Sequence, residues 1–219
     1  MSDFNALHPR LEAEQGSGKT PAYDSCDSHG SVVASAHKIT KIATIAALYA
    51  AATLVVMLCL SGFAWGPIQF RVSEALCVLA LFFPEAIVGL TFGCVLANLI
   101  NIVLSASGFL GLLDVVFGSV ATCIGALFTW RFRKHTALAL LGPVVANALI
   151  VPAYLPLILQ GLGFYTVPFT DIALDGSYLL MYLFGIVVIG LGEAAVVYIL
   201  GLPLVSALKR AGIERFTSM

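Results

Sequence analysis

Charge is what this chain has least of. Lys, Arg, Asp and Glu make up only 11% of its 219 residues, against roughly 25% in an average soluble domain. So few charges cannot cover a water-facing fold, which excludes an ordinary soluble enzyme and a disordered protein alike. The net charge of −1 argues against nucleic acid as a partner. Histidine is also scarce. His8, His29, His37 and His135 all fall outside the apolar runs, so no histidine cluster can form a metal site within a membrane. The five cysteines, Cys26, Cys59, Cys77, Cys94 and Cys123, are odd in number and form no CxxC pair. They read as buried apolar thiols, not as a disulfide frame or a metal site. There is no P-loop, no HExxH and no GxSxG. Nothing argues for catalysis, for a cofactor or for ATP hydrolysis by this chain.

What the chain has instead is apolar length. Hydrophobic residues make up 60% of it, which implies a polytopic membrane protein. From Lys41 onward there are six apolar stretches, at about 41–63, 73–84, 86–105, 112–130, 136–160 and 178–204. A spanning helix needs about 20 residues, so the second stretch is short and is expected to start nearer Gln69. Only Pro84-Glu85 separates it from the third, which predicts a tight helical hairpin. None of the stretches shows the two-residue alternation of a barrel strand. The expected fold is all-α, with six transmembrane helices and no internal repeat. Residues 1–37 are polar and lack a periodic apolar face, so they read as a disordered cytoplasmic tail and not as a signal peptide. The membrane domain is expected over 38–210, with a short C-terminal tail over 211–219.

Six spans put both termini on one side. Ten of the eleven basic residues then share that side, and only Arg71 falls on the other. The positive-inside rule makes the populated side cytoplasmic, in a multi-pass protein of the cell membrane. The outer connections become 64–72, 106–111 and 161–177, the last rich in aromatics and turn formers. A lid or binding site is expected there.

Charged and amide groups inside a span are costly and are functional candidates by default. They are Glu74, Asn98, Asn101, Asp114, Asn147 and Glu193, with Gln69 and Arg71 at the outer rim. Arg71 and Glu74 are three residues apart and share a helix face, either as a local salt bridge or as a rim pair that meets a polar ligand. Asp114 opens the fourth span, where it either caps the helix or faces a pocket. Asn98 and Asn147 lie deep in their spans, for helix-to-helix hydrogen bonds or for the edge of a heterocycle. Glu193 lies deep in the sixth span and must be paired or protonated, with Asn147 or a ligand amine as its partner. Glu85 follows Pro84 and reads as ordinary helix-start chemistry. Trp65, Phe70, Phe117, Tyr154, Phe164, Tyr165 and Tyr198 offer stacking surface, belt or core. In the first span, Ala43, Ala47 and Ala51 repeat every four residues, as do Ala46 and Ala50. Such a ridge serves either packing inside the bundle or the approach of a partner helix.

Five blocks resemble the QueT family: GPIQFRVSEAL (66–76), FFPEAIVGLTFGCVLANL (82–99), GLLDVVFGSVAT (111–122), ANALIV (146–151) and GLGEAAVVYILGLPL (190–204). The resemblance covers about residues 38–210. It implies a queuosine-precursor transporter, the substrate-binding S-component of an energy-coupling-factor importer in a prokaryote. Such components are six-helix proteins with an outward-facing pocket closed by outer loops. They work with a transmembrane T-component and two cytosolic ATPases, which hydrolyse the ATP. The alanine ridge of Ala43, Ala47 and Ala51, or of Ala46 and Ala50, matches the face that commonly meets the T-component. The implied cargo is a 7-deazaguanine such as preQ1, preQ0 or queuine. Gln69, Arg71, Glu74, Asn98, Asp114, Asn147 and Glu193 then become the substrate-binding set. Two other readings stay open: an S-component for another vitamin-like molecule, and a stand-alone proton-coupled carrier that uses Glu193.

Overall fold

The structure is a computed structural model that describes residues 21–59, 71–105, 108–161 and 178–213. The chain divides into two compact units, Met1–His37 and Lys38–Met219. The expected tail falls mostly on residues outside the described set, as do Gln69, Trp65, Phe70, Phe164 and Tyr165. Helix α1, Pro21–Cys59, begins in the smaller unit.

The described residues are helical, with no strand among them. After α1 come α2 (Val72–Leu81), α3 (Glu85–Ser105), α4 (Gly108–Arg131), α5 (Leu141–Gly161) and α6 (Tyr178–Arg210). Five stretches are long and apolar enough to cross a membrane: Ser35–Cys59, Glu85–Leu104, Gly108–Arg131, Thr136–Ile158 and Tyr178–Arg210. The element expected as the second span is different. It is a 3₁₀ helix of ten residues. At about 2.0 Å per residue it reaches about 20 Å, more than an α-helix of that length but less than a hydrocarbon core of about 30 Å. Pro84 closes off its end because it has no N–H to continue the ladder. Glu85 then starts α3 with an acid in the first turn.

α2 is short because it is enclosed. Ser73, Glu74, Ala75, Cys77, Val78 and Ala80 are all buried. Cys77 and Ala80 pack with Ile45 and Tyr49 of α1, Leu90 and Cys94 of α3 and Ala126 of α4. Val78, with Phe82 just beyond α2, packs on the other side with Leu140 and with Val197 and Val205 of α6. A third cluster joins α5 to α6 through Val151, Tyr154, Leu155, Ile158, Met181 and Ile189. The shares of buried residues rank the spans: 67% for the span ending in α5, 17% for that of α1. α5 is therefore the centre and α1 the periphery.

Lipid is as apolar as leucine, so helices associate through close packing and hydrogen bonds. α1 meets α3 at Gly89 and Gly93, a GxxxG pair. A Cβ on Gly93 would stand 2.7 Å from Tyr49 Cβ and 2.8 Å from the Ala46 carbonyl oxygen. α4 crosses α5 where a Cβ on Gly125 would stand 2.7 Å from Pro143 Cα. α5 carries Pro152 and Pro156 in its interior, which loosens its own hydrogen-bond ladder. α6 compensates. Tyr182 donates to the Leu149 carbonyl at 3.1 Å and Tyr178 to the Ala153 carbonyl at 2.7 Å. Each acceptor lies three residues before a proline.

Two segments wind more loosely than an α-helix. Asp114–Gly118 in α4 and Val196–Gly201 in α6 are π-turns, a feature frequent at functional sites. The first begins at Asp114, and the second begins three residues after Glu193.

Candidate functional site

The polar residues gather into three clusters within the helix bundle. The first is built on Asp114. Arg71, just before α2, brings one guanidinium nitrogen to both carboxylate oxygens, at 2.8 and 3.0 Å. Tyr154 of α5 donates its hydroxyl to Asp114 Oδ1 at 2.6 Å. Asn98 of α3 donates to the Asp114 backbone carbonyl at 2.8 Å. The Arg71 and Asp114 side chains are only 13% and 14% exposed. Gly118 leaves the room for this: a Cβ there would stand 3.0 Å from Asp114 Oδ1, 3.2 Å from Asn98 Nδ2 and 3.4 Å from Arg71 Nη1. Phe117 stacks on Tyr154 with ring centroids 5.7 Å apart.

The second cluster is built on Glu74, which is completely buried. Tyr49 of α1 donates to its Oε1 at 2.5 Å, and Thr122 of α4 to the same oxygen at 2.8 Å. The Cys77 thiol donates to Oε2 at 3.0 Å. Next to it, Thr53 of α1 donates to the Ser73 hydroxyl at 2.8 Å. The third cluster is smaller. Asn147 of α5 donates from Nδ2 to Glu193 Oε1 of α6 at 3.2 Å. Both residues are 1% exposed.

Arg71 and Glu74 do not form a local salt bridge, one of the two readings of their spacing. The ion pair goes from Arg71 to Asp114, 43 residues away. In that position Asp114 anchors three helices and is not a simple cap. Asn98 joins the Asp114 cluster, and Asn147 pairs with Glu193. Of the outer connections, where a lid is expected, residues 64–70, 106–107 and 162–177 lie outside the described residues. Tyr49, Thr122 and Ser119 are additions to the polar set. Thr122 had a readable signal: Asp114, Gly118 and Thr122 lie four residues apart along one helix face. No His, Cys, Asp or Glu cluster among the described residues could hold a metal ion.

The two alanine sets separate. Ala43, Ala47 and Ala51 are exposed, while Ala46 is half-buried and Ala50 is buried. Ala46 faces the Gly93 contact, so its side of α1 is committed to the bundle.

Several apolar spans that enclose linked buried polar groups define a multi-pass membrane protein with a polar interior. The comparisons make this specific. The QueT transporter family matches residues 39–210, and the chain belongs to that family. The queuosine precursor transporter QueT of Lactococcus lactis subsp. cremoris (strain MG1363) is 34% identical over 102 residues. That match covers 45% of this chain and 54% of the relative, so the chain spans about half the length of the curated relative it matches. No solved structure matches.

Proposed function

We propose that this chain is the substrate-binding S-component of an energy-coupling-factor importer in a prokaryotic plasma membrane. Its cargo is a queuosine precursor, a 7-deazaguanine such as preQ1, preQ0 or queuine. The observation that carries the reading is the buried Asn147–Glu193 pair inside a QueT family match over 39–210. A 7-deazaguanine offers a ring N–H and an exocyclic amine, which suit a carboxylate acceptor such as Glu193. Its carbonyl suits an amide or guanidinium donor, from Asn147, Asn98, Gln69 or Arg71. Glu74 and Asp114 complete the polar surround.

In this reading α2 is the sixth membrane element. The ten basic residues of one side then mark the cytoplasm, where both termini lie. Residues 1–37 form a tail outside the 38–210 membrane domain. A T-component docks on the exposed Ala43, Ala47 and Ala51 stripe, and two cytosolic ATPases hydrolyse the ATP. The test is calorimetry on the purified chain with preQ1, preQ0, queuine and guanine. Tight binding of one 7-deazaguanine, with guanine much weaker, is expected, and Glu193→Gln should weaken it while the protein stays folded. No binding of any of the four would overturn the cargo assignment. Uptake driven by a pH gradient without the ATPases would overturn the S-component role.

A further inference from the structure

Most polar groups of the interior are closed by the chain itself. Glu74 receives three donors, and Asp114 receives Arg71, Tyr154 and Asn98. Two buried groups are not closed. Asn147 Oδ1 and Ser119 Oγ have no hydrogen-bond partner among the described residues. Asn147 is 1% exposed and Ser119 4%. A native interior rarely leaves such atoms unmet unless something else meets them.

Ser119 is open for a local reason. A helical Ser or Thr ordinarily bonds the carbonyl four residues back. Thr53, Thr91, Thr129 and Ser206 all do so here, at 2.7–3.1 Å. Ser119 follows directly on the π-turn Asp114–Gly118, where the regular spacing of carbonyls is lost, and its hydroxyl stays unbonded. Ser119 also lies on α4, the helix that packs against α5, which carries Asn147. The two helices run antiparallel and are pinned at Gly125 on Pro143 and at Asp114 on Tyr154. Ser119 and Asn147 both fall between those pins.

The chemistry of the open atoms is one-sided. Asn147 spends an N–H on Glu193, which leaves its carbonyl oxygen free. That oxygen and the Glu193 carboxylate are both acceptors. A ligand that meets them must bring at least two donors on one edge. We infer that Asn147, Glu193 and Ser119 are the specificity-determining set, and that they select a 2-amino, guanine-like heterocycle by its ring N–H and amino group. An adenine-like edge presents an unprotonated ring nitrogen to these acceptors and is rejected. This rests on the cargo reading above and assigns its selectivity to three named side chains.

The test is a ligand–protein cycle by calorimetry, with preQ1 and its analogue lacking the 2-amino group as probes. The wild-type chain should prefer preQ1 by about tenfold or more, since a site built for a donor discriminates against its absence. Asn147→Ala should collapse that ratio towards one by weakening preQ1 while sparing the analogue. Ser119→Ala should lower preQ1 affinity without moving the unfolding temperature. A wild-type ratio of one, or an Asn147→Ala chain that keeps the wild-type ratio, would overturn the inference and leave the cargo reading intact. Failure of the wild-type chain to bind either probe would overturn both.

Discussion

Glu74 gives the sharpest test of which polar groups hold the fold. Its carboxylate receives the Tyr49 hydroxyl at 2.5 Å, the Thr122 hydroxyl at 2.8 Å and the Cys77 thiol at 3.0 Å. These donors tie α1, α2 and α4 together in a completely buried position. Glu74→Met keeps the length and removes the acceptor, so both hydroxyls lose their partner. A buried donor left unmet costs about 1–3 kcal/mol. Hydrogen bonds between membrane helices average about 0.6 kcal/mol in double-mutant cycles. Two lost partners therefore cost between about 1 and about 6 kcal/mol. The decisive measurement repeats the substitution in a Tyr49→Phe/Thr122→Val background. There no hydroxyl is left to orphan, and an apolar side chain of similar volume should be neutral or stabilising. Denaturant unfolding of the purified protein in detergent reads both costs. Equal cost in the two backgrounds would refute the reasoning, because the loss would then come from packing and not from the network.

Two further substitutions test the helix faces. Gly93→Val puts atoms where even a Cβ stands 2.7 Å from Tyr49 Cβ; overpacking of this kind costs about 1–3 kcal/mol, read as a lower unfolding midpoint. A midpoint equal to wild type would mean that α1 does not rest on that glycine. Ala47→Leu sits on the exposed stripe, so stability and cargo binding should both stay at wild-type level while co-purification with a T-component falls. Intact assembly would remove the stripe from the docking surface.

Much of this was legible in the sequence because charge is so rare there. In a chain with 11% charged residues, each acid or amide inside an apolar run stands out, and Glu74, Asn98, Asp114, Asn147 and Glu193 all prove to lie in the bundle interior. The hairpin at Pro84-Glu85 was equally readable, since a proline followed by an acid right after a short apolar run marks a helix boundary. Pairing was not readable. Arg71 lies three residues from Glu74 yet binds Asp114, because a 3₁₀ helix enclosed by α1, α3 and α4 offers Glu74 nearer hydroxyl donors. The length of α2 was half legible: the apolar run is short, but the choice of 3₁₀ over α depends on what surrounds it. The two alanine sets could not be told apart by spacing alone. They separate only once Gly89 and Gly93 fix which side of α1 approaches α3.

α4 explains how one short bundle keeps structural and receptive polar groups apart. Asp114, Gly118 and Thr122 follow one face and supply an anchor, a gap and a donor to the two closed clusters. Had the helix been regular throughout, Ser119 would have met the carbonyl four residues back, like Thr129 one helix segment later. The π-turn breaks that pattern at one position and leaves one hydroxyl open. α5 and α6 supply the other open group through Asn147, held by Glu193. The stripe of α1 is exposed, and α1 reaches the interior through Tyr49 and Thr53, both bonded to residues of α2. In the proposed reading, cargo selection and partner docking therefore rest on different helices. Substitutions at Asn147 or Ser119 should change affinity without changing assembly, and those on the Ala43–Ala51 stripe should do the reverse.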